Sequence, residues 1–325
     1  MKRVLRWLGL ALAIAAGIYF LRHAAAAFGD VRTADLSPPR LLGAFAVMLP
    51  AYLVAVPLAA MSWRRLLRAM DVAFSPAWSY AIVAFTQFGK YLPGNVAHHV
   101  GRVVVARPVG GDLTRLSLSL VYENLLTALA AAHLTAILMV MRPVPALEQW
   151  LPAAWRSWLL VAATLGAAAG FLLLRHLVAW VLRLGRSPDT AAEGLVTPGP
   201  WVLLTCYGIA VASFLVVGLG FTAMAPLVSP DAGFPYLELC GAVAAAWVIG
   251  LLVPGAPAGL GIREGVLLAL LGDAMPAADA VVMIALLRAA TTLGDLVHFI
   301  AGGALLRRLR GRLSPSLRDG LEAGG

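Results

Sequence analysis

Long uncharged runs separated by short basic clusters dominate the chain. A membrane-crossing helix needs about 20 mostly apolar residues. Six runs meet that requirement: Val4–Leu21, Leu41–Ser62, Leu116–Met141, Trp158–Leu174, Trp201–Leu227 and Ala280–Leu306. Two further apolar regions, Pro76–Arg107 and Leu237–Gly272, are interrupted halfway by Pro93-Gly94 and Pro254-Gly255. Proline removes a backbone donor and glycine weakens helix, so regular helix does not run through either interruption. Each region reads as a helical hairpin that enters the bilayer and returns, and two short crossings satisfy the same pattern. The fold class is therefore all-α: a polytopic membrane protein with about six full spans and two broken-helix, re-entrant hairpins.

Charge gives these segments an orientation. Lys and Arg concentrate on the cytoplasmic side of membrane proteins. Lys2, Arg3 and Arg6 put the N-terminus in the cytoplasm, and Arg64, Arg65 and Arg68 follow the second run on the same side. Arg175, Arg183 and Arg186 follow the fourth, the loop 228–236 has no basic residue, and Arg307, Arg308, Arg310, Arg312 and Arg318 return the C-terminus inside. The count closes only when each interrupted region leaves the chain on the side it entered. Residues 1–40 then form a retained N-terminal helix and external loop, 41–306 the membrane domain, and 307–325 a basic cytoplasmic tail. Ser62 to Pro76, with Trp63, Leu66, Leu67 and Met70 among arginines, reads as a short helix lying along the headgroups.

Composition agrees with the pattern. Hydrophobic residues make up 61% of the 325 positions and charged residues 13%, and mean hydropathy is +0.86. Soluble domains carry about twice that share of charge. The net charge of +9 does not point to nucleic acid, because the basic residues cluster at the ends of apolar runs, where anionic lipid is their partner. Cys206 and Cys240, the only cysteines, offer neither a disulfide framework nor metal spacing. No HExxH, GxSxG, Walker or dinucleotide motif occurs, so neither a cofactor nor an enzymatic activity is expected.

The two interruptions resemble each other. In both, Arg102 after Pro93 and Arg263 after Pro254, the arginine lies nine residues after the proline, and a Gly-Arg or Gly-Ile-Arg closes each. Entering from opposite sides, they form an inverted repeat of broken helices, a pattern that marks midplane transport sites. Arginine in such a loop suits a phosphate, since its planar fork binds oxygens bidentately. Arg102 and Arg263 have a plainer reading as interfacial topology markers. Glu264 orients Arg263 or complements a helix N-terminus. Glu123 lies within a span and needs a partner such as Lys90 or Arg102. Arg288 and Asp295 share one helix face and pair across two turns or with the second hairpin. His98 and His99 are adjacent, point in different directions and make a poor metal pair. His133 and His298 read as hydrogen-bonded packing residues.

The segments Lys90-Tyr91-Leu92-Pro93-Gly94 with Arg102, and Pro254-Gly255 through Gly259-Leu260-Gly261-Ile262-Arg263-Glu264, resemble the lysylphosphatidylglycerol synthase transmembrane-region family of flippase-like proteins. Glu123 and Arg288 fit its pattern, while Asn124 and Thr127 stand where Arg and Asp are usual, and Ala256-Pro257-Ala258 lengthens the second turn. The resemblance implies a bacterial plasma-membrane transporter. Its cargo would be an anionic, aminoacylated or polyprenyl-phosphate-linked lipid, and its site would comprise Arg263, Arg102, Glu264, Lys90, Glu123, Arg288 and Asp295 with the turn residues Pro93, Gly94, Pro254, Gly255 and Gly261. The rival readings are a non-transporting membrane subunit that anchors a separate synthase or glycosyltransferase, and a lipid-modifying membrane enzyme.

Overall fold

The computed structural model describes residues 37–92, 96–141, 160–170, 197–231, 235–253, 257–272 and 275–311, with a few isolated positions between them. Helix is the only regular structure among them. In chain order these are α1 (Pro38–Arg68), α2 (Pro76–Thr86), α3 (Ala97–Ala106), α4 (Leu113–Met141), α5 (Leu160–Gly170), α6 (Pro200–Val228), α7 (Tyr236–Leu252), α8 (Ile262–Leu271) and α9 (Ala277–Arg310). Four of them, α1, α4, α6 and α9, are long and apolar enough to cross a membrane. Apart from Ile18, the expected first span, Val4–Leu21, lies outside the described residues, as does the tail after Gly311. Of the expected span Trp158–Leu174, the described helix is α5.

The interrupted regions are broken as expected. α2 passes into a 3-10 turn, Gln87–Tyr91, before α3 begins, and α7 is separated from α8 by a 3-10 turn at Pro257–Gly259. Pro93, Gly94, Pro254 and Gly255 themselves lie outside the described residues. At about 1.5 Å per residue, α2, α3 and α8 are each about 15 Å long, half of a hydrocarbon core of about 30 Å.

The order long, short, short, long therefore occurs twice, in α1–α4 and in α6–α9. Packing repeats it reciprocally: α9 lies on α2, α4 lies on α7, and α1 and α6 pack on each other. Each of these contacts is made at a glycine. A Cβ at Gly302 in α9 would lie 2.5 Å from the amide nitrogen of Phe85, one at Gly241 in α7 would lie 2.9 Å from the carbonyl oxygen of Leu134, and one at Gly220 in α6 would lie 2.5 Å from Cβ of Ala51. Small residues bring helices close where lipid supplies no hydrophobic drive for them to associate.

The headgroup helix expected at Ser62–Pro76 is not separate. Its first residues continue α1 to Arg68, and Trp63, Leu66, Leu67 and Met70 are fully buried. Protein, not lipid, covers the apolar side: Trp63 packs with Phe74, Leu116 and Leu120 in one cluster, and its indole N–H donates to Ser119 Oγ at 2.9 Å. α1 also contains Pro50 and Pro57. Proline at 57 cannot donate to the carbonyl four residues back, Leu53. His298 Nε2 of α9 donates to that oxygen at 3.2 Å, which leaves Nδ1 to accept from Tyr80 OH at 2.9 Å. The histidine repairs a proline-broken ladder in a segment without water to do it.

Candidate functional site

Each half closes with an ion pair between its second short helix and its last long one, and the polarity is reversed. Arg102 of α3 donates to Glu123 Oε2 of α4 at 2.7 Å. In the other half the acid is on the short helix, Glu264 of α8, and it accepts from Nε of Arg288 on α9. The terminal nitrogens of Arg288 lie 3.5 Å from the carbonyl oxygen of Ala258 in the turn before α8. Arg102, Glu123 and Glu264 are all buried, where breaking a pair strands a charge at high cost.

α9 joins the halves through one face. Arg288 and Asp295, two turns apart, are separated by about 10 Å along the axis, beyond the reach of an ion pair. They do not pair with each other. Arg288 holds the second broken region, while Asp295 meets Lys90 of the first, with Nζ to Oδ2 at 2.7 Å. Asp295 is completely buried and also accepts from Tyr52 OH on Oδ1 and from Tyr91 OH on Oδ2, both at 2.6 Å. Tyr52 OH in turn accepts from Lys90 Nζ at 2.9 Å. The carboxylate is thus held by α1, the first broken region and α9 together.

Arg263 stands apart. It neighbours Glu264 in sequence, but consecutive helical residues point about 100° apart and do not face each other, and Glu264 is engaged by Arg288. Among the described residues Arg263 has neither an ion pair nor a hydrogen bond, and its buried Nε has no partner. Its guanidinium lies 6.0 Å from the Trp247 ring centre. The slot for its side chain is made by two glycines: a Cβ at Gly250 would come within 2.8 Å of Arg263 Cγ, and one at Gly259 within 2.6 Å of Nε. Gly259 and Gly261 have φ of 69° and 82°, and Ala258 has 51°, so the turn runs through conformations that only glycine adopts freely.

These groups surround a cavity of about 280 Å³. Lys90, Arg102 and Glu123 from the first half and Arg263 and Arg288 from the second line it. Glu264 and Asp295 lie off its wall as partners of Arg288 and Lys90. Gly261 is the N-cap of α8. Sequence reasoning brought these residues together but missed Tyr52, Trp247, Gly250, His98 and His99. The histidines lie in the first turn of α3 and their ring centres are 3.7 Å apart, not directed away from each other. No earlier turn restricts their rotamers there. Tyr52 and Trp247 sit in uninterrupted apolar runs and carried no signal. Among the described residues no group of three or more His, Cys, Asp or Glu side chains is placed to hold a metal ion.

Apolar helices of this length, and buried charge gathered around a cavity between broken helices, define an integral membrane protein. The sequence profile described as the lysylphosphatidylglycerol synthase TM region matches residues 6–298. The chain belongs to that family. No curated protein gives a significant match.

Proposed function

We propose that the protein is a lipid transporter that carries a phosphate-bearing lipid headgroup between leaflets of the bacterial plasma membrane. The headgroup occupies the cavity between the two broken regions while the acyl chains stay in lipid. The main barrier to flipping is desolvation of the charged headgroup, and a polar cavity with fixed cations lowers it. One observation carries this reading: four cations converge on a single cavity, three have carboxylate partners, and Arg263 is held there without one. Arg263 is partly buried and its Nε fully so; a guanidinium held there without a protein partner is costly, and its retention fits a ligand as the partner.

In this reading α2–α3 and α7–α8 are re-entrant hairpins entering from opposite sides, with both termini cytoplasmic. The half-length of α2, α3 and α8, the reciprocal packing of the halves and the basic clusters at Arg64–Arg68 and Arg307–Arg310 support it. No enzymatic step is assigned, and membrane phospholipid is the partner. The test is leaflet exchange of fluorescent phosphatidylglycerol and of a polyprenyl phosphate in proteoliposomes, with wild type beside Arg263→Ala and Arg102→Ala. Exchange in wild type that collapses in Arg263→Ala while folding is retained supports the site. Exchange that survives both substitutions removes it.

A further inference from the structure

The three ion pairs around the cavity differ in what each carboxylate keeps if its cation leaves. Among the described residues the Glu123 carboxylate accepts from Arg102 alone and that of Glu264 from Arg288 alone, and Glu264 Oε2 is buried without a partner. Withdrawing either arginine strands a buried carboxylate at high cost. Asp295 is different. Besides Lys90 Nζ it accepts from two hydroxyls, Tyr52 on Oδ1 and Tyr91 on Oδ2, both at 2.6 Å. Hydrogen bonds to an ionised group are the strong ones, so these two still hold the carboxylate once the lysine has gone.

The cation of this pair is also the one suited to changing partners. An arginine grips with a rigid planar fork, whereas a lysine ammonium is a point charge with three donors on a flexible stem. Lys90 lines the cavity, while Asp295 and Tyr91 do not. It lies in the 3-10 turn Gln87–Tyr91, and that turn packs against the turn Pro257–Gly259 that leads to Arg263. The exchangeable cation and the unpartnered one thus come from two breaks that meet beside the cavity.

Resting on the transporter reading, we propose that Lys90 is a phosphate ligand that exchanges partners: a phosphoryl group met by Arg263 draws the ammonium from Asp295, and Tyr52 and Tyr91 keep the carboxylate in place. When the headgroup departs, Asp295 reclaims Lys90. Asp295 is therefore a built-in competitor, and it keeps binding weak enough for release to follow.

Titration of the purified protein in neutral nanodiscs with short-chain phosphatidylglycerol, and separately with inorganic phosphate, tests the exchange. Asp295→Asn removes the competitor and is expected to bind the lipid about tenfold tighter; an ion pair that only holds the fold predicts weaker binding. Tyr91→Phe takes a hydroxyl from the carboxylate, makes Lys90 costlier to withdraw and is expected to weaken binding about tenfold, although Tyr91 is not on the cavity wall. That effect disappears in a Lys90→Met background, whereas an effect of ring packing would persist. The Tyr91 arm decides the matter if Asp295→Asn fails to fold. Weaker or unchanged binding by folded Asp295→Asn overturns the proposal, as do unchanged binding by Tyr91→Phe, a Tyr91→Phe effect that survives without Lys90, and absence of binding by the wild type. The same signs with inorganic phosphate assign the exchange to the phosphoryl group itself; signs confined to the lipid assign it to the headgroup. Both signs in binding without leaflet exchange sink the transporter reading alone. Leaflet exchange without these signs sinks this proposal alone.

Discussion

Arg263 and Glu264 show how much one residue of helical rotation decides. Sequence adjacency suggested a pair, but their divergence on α8 sends the acid to Arg288 and leaves Arg263 in a slot lined by Gly250 and Gly259. Hydrogen bonds to charged groups contribute about 1.5–3 kcal/mol each. Arg263→Gln is therefore expected to slow leaflet exchange by roughly one to two orders of magnitude while leaving thermal stability unchanged or raised, since an unpaired, partly buried charge is lost. The same slot predicts that Gly250→Ala impairs exchange without touching any charge. The added methyl meets Arg263 Cγ, and overpacking of this kind costs about 1–3 kcal/mol. Exchange assays beside melting curves check both substitutions. That Arg263 is a candidate for function was legible from its Pro-Gly context; that Gly250 shapes its slot was not, because a glycine in an apolar helix has the same appearance whether it seats a neighbour or merely fills space.

The breaks and long helices follow from the pattern of apolar runs and Pro-Gly interruptions, whereas what repairs and holds them does not. α1 keeps its course through Pro57 because His298, far along the chain, supplies the missing donor to Leu53. His298→Phe is expected to lower stability by about 1–3 kcal/mol, the usual cost of stranding a buried acceptor, with exchange per folded molecule retained; thermal unfolding in detergent measures it. The Arg102–Glu123 pair makes a second prediction at this scale. Removing either partner alone, as Arg102→Met or Glu123→Gln, is expected to cost about 3–5 kcal/mol, and the double variant less than the sum. Additive losses in a double-mutant cycle would show that the pair is not coupled. The misjudged stretch, residues 62–76, fails for a related reason: arginines interspersed with Trp and Leu look the same beside headgroups as beside a packed core, and only the cluster with Phe74, Leu116 and Leu120 distinguishes them.

Over the whole molecule, two halves with the same order of elements pack reciprocally and close with ion pairs of opposite polarity, Arg102–Glu123 and Glu264–Arg288. α9 fastens both broken regions through Arg288 and Asp295. The repeat was visible as a matched Pro-to-Arg spacing; the polarity reversal was not, since it depends on which residues meet across helices. The net result is a cavity with one surplus positive charge, and the account stands on that charge. It can be removed and returned. In a background in which Cys206 and Cys240 are replaced by alanine, Arg263→Cys is assayed for phosphatidylglycerol exchange before and after treatment with a cationic ethylammonium thiosulfonate and with an anionic ethylsulfonate thiosulfonate, labelling being confirmed by mass. The account predicts little exchange in the unmodified variant, partial recovery with the cationic adduct and none with the anionic one. Full exchange in unmodified Arg263→Cys, or equal recovery with either adduct, would contradict it.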